Sequence, residues 1–379
     1  MRTLLLLAAA AGLSACAAEP KPATKDPAPA TPRRRGFATA DAKPPARFPH
    51  RIWAASGFEA RPANFGWFGA AETKNIPEYP GNTAARRGTP QKKHAALKTG
   101  MNPVPGPRMG TTNYLYCRYV IKGTDRAVFQ HYSLSSGDNC NIRVSGLTQG
   151  KWSELLLNFT RDSRRNDGSP GAFKKGERMD DLQVYVGKPD DGKTYEVIID
   201  DAIFFAEEPG LPPEPEPFPR RVMFLAAFDT GINPASARAK YFPGQWALPE
   251  RPPAGSYWQV AAAVPVKGGE GRHVRLEMKP PRPVGPNTKL RFRCHLKGAS
   301  KLTVSLHDAT AKKDRSVELA DCAQGKWTTR YVAFSTDGKA VGGGRMPAGS
   351  KVDAVTFAIP PGKDAALCVD EVVLYDAGK

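Results

Sequence analysis

The sequence predicts an all-β protein built from two tandem antiparallel β-sandwich (jelly-roll) domains. Three observations carry this. Period-two alternation runs through Leu290, Phe292, Cys294 and Leu296, and again through Leu302, Val304 and Leu306, the spacing of a strand with one buried face. Gly and Pro number 36 each, which favours turns and linkers over long helices. The step "QGKW" at Gln149 to Trp152 returns at Gln324 to Trp327, 175 positions later (324 minus 149), each time followed by a strand-like run. The chain therefore reads as one domain written twice.

The elements follow in order. Residues 1–15 open "MRTLLLLAAAAGLSA", a positive start and a short apolar run that suit a signal peptide and are too short for a membrane span. Leu13-Ser14-Ala15-Cys16 resembles the bacterial lipobox, which implies acylation of Cys16 and a membrane anchor on an exported body. The other reading is an ordinary signal peptide with Cys16 incidental. Ala17, in place of Asp, resembles an outer-membrane address. Residues 16–47 are rich in Pro and Ala and nearly free of large apolar side chains, a disordered tether. Residues 48–207 form the first sandwich. Residues 208–219, "EPGLPPEPEPFP", are an extended, semi-rigid linker. Residues 220–379 form the second sandwich.

The two bodies match feature by feature. "WAASGFEA" from Trp53 answers "MFLAAFDT" from Met223, and "YLYCRYVIKG" from Tyr114 answers "LRFRCHLKG" from Leu290. Each body closes on an acidic doublet inside an apolar strand, "VIIDDAIFF" and "LCVDEVVLY". The Gly-Lys-Trp step reads as a turn into a strand, with Trp152 or Trp327 laid over one end of the core. Cys117, Cys140, Cys294, Cys322 and Cys368 remain after Cys16. An exported setting permits disulfides, Cys117–Cys140 among them, and buried free thiols are the alternative.

The order of these features resembles the galactose-binding-like jelly rolls, a superfamily that includes many carbohydrate-binding modules. The resemblance covers both bodies. It implies a structural calcium ion pinning the first strand to the last, held by Glu59 with Asp200 and by Asp229 with Asp370. Calcium takes hard oxygen ligands, and a carboxylate within an apolar strand needs a partner. Solvent exposure or capping of backbone amides is the competing reading of these acids.

Sugar binding on such a scaffold uses aromatic faces beside polar groups. The candidates are Trp67, Phe68, Tyr79 and Tyr132 in the first body, and Tyr241, Trp246, Tyr257 and Trp258 in the second. The competing reading folds these rings back onto the sandwich ends. For Tyr132 the alternation of "AVFQHYSL" fits either face.

"GKPDDGKT" at Gly187 to Thr194 matches the phosphate-loop pattern. A strand follows it where that chemistry needs a helix N-terminus, so it reads as a hairpin turn. No H-E-x-x-H or G-x-S-x-G motif appears, so no catalytic residue is assigned. A net charge of +18 attracts anionic polymers; on an exported protein these are acidic polysaccharide, lipopolysaccharide phosphate or lipid headgroups, nucleic acid being less accessible. The competing reading is a generally basic composition with solvated loop charges. The sequence thus points to a membrane-anchored, non-enzymatic glycan-binding lipoprotein of the cell envelope. The alternatives are a structural envelope component that binds proteins and a polysaccharide-degrading enzyme.

Overall fold

The computed structural model describes residues 38–39 and 43–377, apart from 59–64, 69–71, 74–75, 77–83, 104–105, 172, 230–241, 335–339, 342–345 and 348. Nine principal strands occupy the first half: β1 (Arg51–Ser56), β2 (Ala85–Arg87), β3 (Leu97–Pro103), β4 (Thr112–Lys122), β5 (Ala127–Ser133), β6 (Asp138–Ser145), β7 (Ser153–Asn158), β8 (Met179–Val186) and β9 (Glu196–Glu207). One sheet runs β6-β5-β8-β3. The other runs β7-β4-β9, with β1 and β2 both paired to β9.

The second half repeats this strand for strand. It contains β10 (Arg221–Ala226), β11 (Ala261–Ala262), β12 (Arg272–Pro283), β13 (Thr288–Lys297), β14 (Leu302–Asp308), β15 (Lys313–Leu319), β16 (Trp327–Val332), β17 (Lys351–Ile359) and β18 (Ala366–Asp376). Its sheets run β15-β14-β17-β12 and β16-β13-β18, with β10 and β11 on β18. The pairings among these principal strands are all antiparallel. The all-β sandwich read from alternation is the fold observed.

Each sandwich closes over its own core. Leu115, Cys117, Tyr119 and Ile121 of β4 point into the first, with Phe129, Leu155 and Val184. Leu290, Phe292, Cys294 and Leu296 of β13 point into the second, with Val304, Leu306 and Phe357. A third cluster joins the halves: Ile52, Tyr116, Ile203 and Phe205 pack with Val222, Val373 and Tyr375, flanked by Phe48 and Phe218. This explains why β1, β9 and β18 lack alternation: both of their faces are covered, so a continuous apolar run is what burial selects.

Both acidic doublets sit on a bulge. Pairing of β9 with β4 shifts register between Asp200 and Ile203, and pairing of β18 with β13 shifts between Arg291 and Arg293. Asp201 and Glu371 take the same left-handed φ of +47°. The extra residue of a bulge re-aims side chains, and in the first doublet both Asp200 and Asp201 come to face Arg118.

Several expectations are corrected by the structure. Trp152 does not cap the core. It packs on the outer face of its sheet against the cluster of Ile76, Ala85, Val120 and Ile198, with the Arg118 guanidinium 4.7 Å from its ring centre. Trp327 stands likewise under Arg293 at 5.0 Å. Cys117, Cys140, Cys294, Cys322 and Cys368 are all free and buried. The Gly187–Thr194 loop leads from β8 in one sheet to β9 in the other, so it is a crossing turn and not a hairpin. The Pro-rich segment is held on both sides: the Phe48 amide donates to Glu216 O at 2.7 Å, while Lys289 pairs with Glu216 at 2.6 Å and Arg291 with Glu214 at 3.0 Å.

Candidate functional site

Strands β6-β5-β8-β3 present one face to their core and one outward. Phe129 and His131 are buried, and Val128, Gln130 and Tyr132 stand on the outer row. Tyr132 therefore faces out. His131 points inward, between Phe159 and Phe173 at ring-centre distances of 4.5 and 4.4 Å. Burial pushes its imidazole down to about 3, so it is a neutral core residue.

Register assembles the outer face. Gly100, Gln183, Gln130 and Asn141 lie opposite one another across β3, β8, β5 and β6. One step along, Lys98, Tyr185, Val128 and Arg143 form a parallel row. Tyr132 faces Asn139 on the next. Four strands at about 4.8 Å spacing make each row about 14 Å long.

The polar groups are oriented by one another. The Gln130 amide donates to Asn139 Oδ1 at 3.2 Å, and Asn141 donates to Asn166 Oδ1 at 3.2 Å. Tyr185 donates its hydroxyl proton to Gln183, whose amide donates to Asp181. Burial raises the Asp181 carboxyl, and the Gln183 bond opposes that shift. Arg165 holds Asp138 at 3.0 Å at the rim. Lys98 Nζ lies 5.8 Å from the Tyr185 ring centre. The surface thus offers planar amides, which both donate and accept, beside two phenol rings and two cations.

The predicted aromatic residues divide. Tyr132 belongs to this face. Trp67 lies on the short strand Phe65–Phe68 paired to β3, opposite Met101, and its side chain is outside the described part. Tyr79 and Tyr241 are outside the described residues. Trp246 is a core residue, 2% exposed. Its indole donates to Phe242 O at 3.0 Å and its ring lies edge-on to Phe228, so it offers no face to a ligand. Tyr257 and Trp258 are half-buried and stack on the chain's own arginines: Arg293 lies 4.3 Å over Tyr257, and Arg51 4.3 Å over Trp258. Gln130, Gln183, Asn141 and Tyr185 escaped the sequence reading. Polar residues on alternating strand positions look like any solvated face, and only register shows them side by side. Their sequence signal is the amide at each central outward position of three strands.

The predicted metal acids are buried and paired. Asp229 accepts from Arg51. Glu371 takes Arg51 at 3.2 Å and Arg291 at 2.8 Å, and Asp370 takes Arg293 at 3.7 Å. Three carboxylates thus meet three guanidinium groups. Burial pushes Asp229 up to about 6 and Asp370 well above its usual range, with the neighbouring acids adding to the rise and the arginines opposing it. In the first half, Asp200 and Asp201 face Arg118 at 3.8 and 3.2 Å, and Asp201 faces Arg221 at 3.6 Å. Glu59 is outside the described residues, as is Cys16. Calcium takes six to eight oxygens, and carboxylates already facing guanidinium groups do not fit it. Among the described residues no group of three or more His, Cys, Asp or Glu side chains is placed to hold a metal.

No protein-family model matches the chain, and no curated protein matches it. Solved structures do. The tandem CBM22-1–CBM22-2 domains of Paenibacillus barcinonensis Xyn10C align over 87% of this chain and 98% of theirs, at 11% identity and a TM-score of 0.25. TmCBM61 in complex with β-1,4-galactotriose aligns over 31% of this chain and 70% of its own, at 13% identity and 0.21. A family 43 arabinoxylan arabinofuranohydrolase from Bacillus subtilis aligns over 81% and 54%, at 12% and 0.23. TM-scores this low carry nothing about function, which rests on this chain's own residues.

Proposed function

We propose that the outer face of β6-β5-β8-β3 binds a glycan chain, and that the protein holds polysaccharide without cleaving it. The observation that supports this is the row Gln183–Gln130–Asn141 with Tyr185 and Tyr132 beside it. Sugar rings have apolar faces and hydroxyl rims. Phenol rings take the first and amides, donor and acceptor at once, take the second. A row about 14 Å long across four strands suits a short run of sugar residues. Lys98 and Arg143, at opposite ends of the neighbouring row, favour a polymer that carries carboxylates. Lipidation at Cys16 would anchor this binder to the outer membrane.

Retention on polysaccharide tests the reading. Purified protein is run through native gels containing xylan, β-galactan, alginate or polygalacturonate. Retardation by at least one, with alginate or polygalacturonate strongest, is expected. Gln183→Ala and Gln130→Ala should each weaken binding about tenfold, the worth of a hydrogen bond or two. Full retention by both variants, or no retardation in any gel, would sink the proposal. Release of reducing sugar would favour the enzymatic reading instead.

A further inference from the structure

The two halves open on the same residue type in the same place. Arg51 is the first residue of β1, and Arg221 is the first residue of its counterpart β10. Each reaches across to acids of the other sandwich. Arg51 reaches Asp229 and Glu371 of the second half. Arg221 reaches Asp201 of the first. Arg51 is fully buried, as is Glu371, and Trp258 and Tyr257 of the second half lie against its guanidinium.

The receiving pockets are alike. Asp201 and Glu371 occupy equivalent bulge positions with the same left-handed backbone. The Asp201 amide donates to Asp200 Oδ1 at 2.7 Å, and the Glu371 amide to Asp370 Oδ1 at 2.8 Å. Each pocket also draws a second arginine from its own sheet, Arg118 and Arg293. The exchange is thus reciprocal, between copies of one motif.

We infer that each acid pocket is a cation site whose cation is an arginine of the opposite sandwich, so that the halves fold as one unit and take no calcium there. The chemistry favours it. Arg stays charged at any working pH, and its planar fork suits buried carboxylates better than a point charge. In the second pocket Asp229, Glu371 and Asp370 each already face a guanidinium group, and Glu214 shares Arg291, so a divalent ion would compete with buried arginines for the same oxygens.

The test uses the full-length protein. Thermal unfolding of wild type in 5 mM EDTA and in 5 mM CaCl2 (about these concentrations) should give the same Tm, in one transition. Stabilisation by calcium that EDTA reverses would overturn the inference. Arg51→Met should lower Tm by on the order of 10 °C, because it leaves buried acids uncompensated. Arg51→Met with Asp229→Asn should recover part of that loss, giving a coupling of about tenfold or more in the unfolding equilibrium. Strictly additive effects would overturn the exchange. If Arg51→Met gives no folded protein, the same cycle on Arg221 and Asp201, where the arginine side chain is 25% exposed, supplies the answer: coupling supports the exchange and additivity refutes it.

Discussion

The outer sheets of the two sandwiches share strand order and register but not chemistry. Where the first has Gly100, Gln183, Gln130 and Asn141 in a row, the second has Arg275, Thr356, Ser305 and Ser316. Tyr185 is matched by Ala358, Tyr132 by His307, and Arg143 by Glu318. The second row is also closed on itself: Ser305 and Ser316 share a hydrogen bond of 2.7 Å, Arg275 donates to Thr356 at 3.3 Å, and His307 meets Asp314 at 2.9 Å. No Tyr, Trp or Phe stands outward on β15-β14-β17-β12 among the described residues. The two halves share the scaffold, and their surface rows differ. On the proposed function, the glycan-binding face is therefore that of the first sandwich alone.

The comparison breaks most visibly if the faces are exchanged. Replacing Gln183, Gln130 and Asn141 by the Thr, Ser and Ser of the second row should weaken polysaccharide retention about a hundredfold or more, since several hydrogen bonds go together. Native-gel retardation measures this. Retention that falls instead on Thr356→Ala with Ser305→Ala would move the site to the second sandwich.

The interior supplies the next contrast. His131 is buried where the matching position of β14 is Leu306. Its folded pKa of about 3 lies below the ordinary value of 6.5. A depressed imidazole binds its proton more readily once unfolded. Stability is therefore full above about pH 6.5 and is lost as pH falls toward 3, by roughly 1.4 kcal/mol per unit. His131→Leu should flatten that slope in urea titrations between about pH 6 and 4. An unchanged slope would mean that other groups govern acid sensitivity.

The smallest effect belongs to the rim. Arg143→Glu, which copies the second face, should cost a few-fold in affinity for polygalacturonate at low salt and little at high salt. Equal loss at both would show that Arg143 contacts the sugar by more than charge.

The architecture was legible because alternation and turns are local. Leu290 to Leu296 announces a one-sided strand, and the return of Gly-Lys-Trp announces the copy. The binding face was not, because Gln130, Asn141 and Gln183 meet through pairing that no local pattern encodes. The exchange of arginines was hidden for the same reason: Arg51 lies far from Asp229 and Glu371 along the chain. A trace existed in the repeat itself. Arg51 and Arg221 open equivalent strands, and Arg118 and Arg293 share a position within the next pair. A charge kept at the same place in both copies of an apolar strand has a partner.

Phe48 precedes β1 yet packs edge-on against Tyr331 and Tyr375 of the second sandwich, at 5.8 and 4.9 Å. Arg47 is fastened beside it to Pro215 O at 2.7 Å. On the N-terminal side of this joint, Ala38 and Thr39 pair in parallel with Val144 and Ser145 of β6, so a pull from that side meets this short pairing first and the seam between the halves behind it. That two-residue pairing can peel away while the packed joint at Phe48 holds the load back from β1.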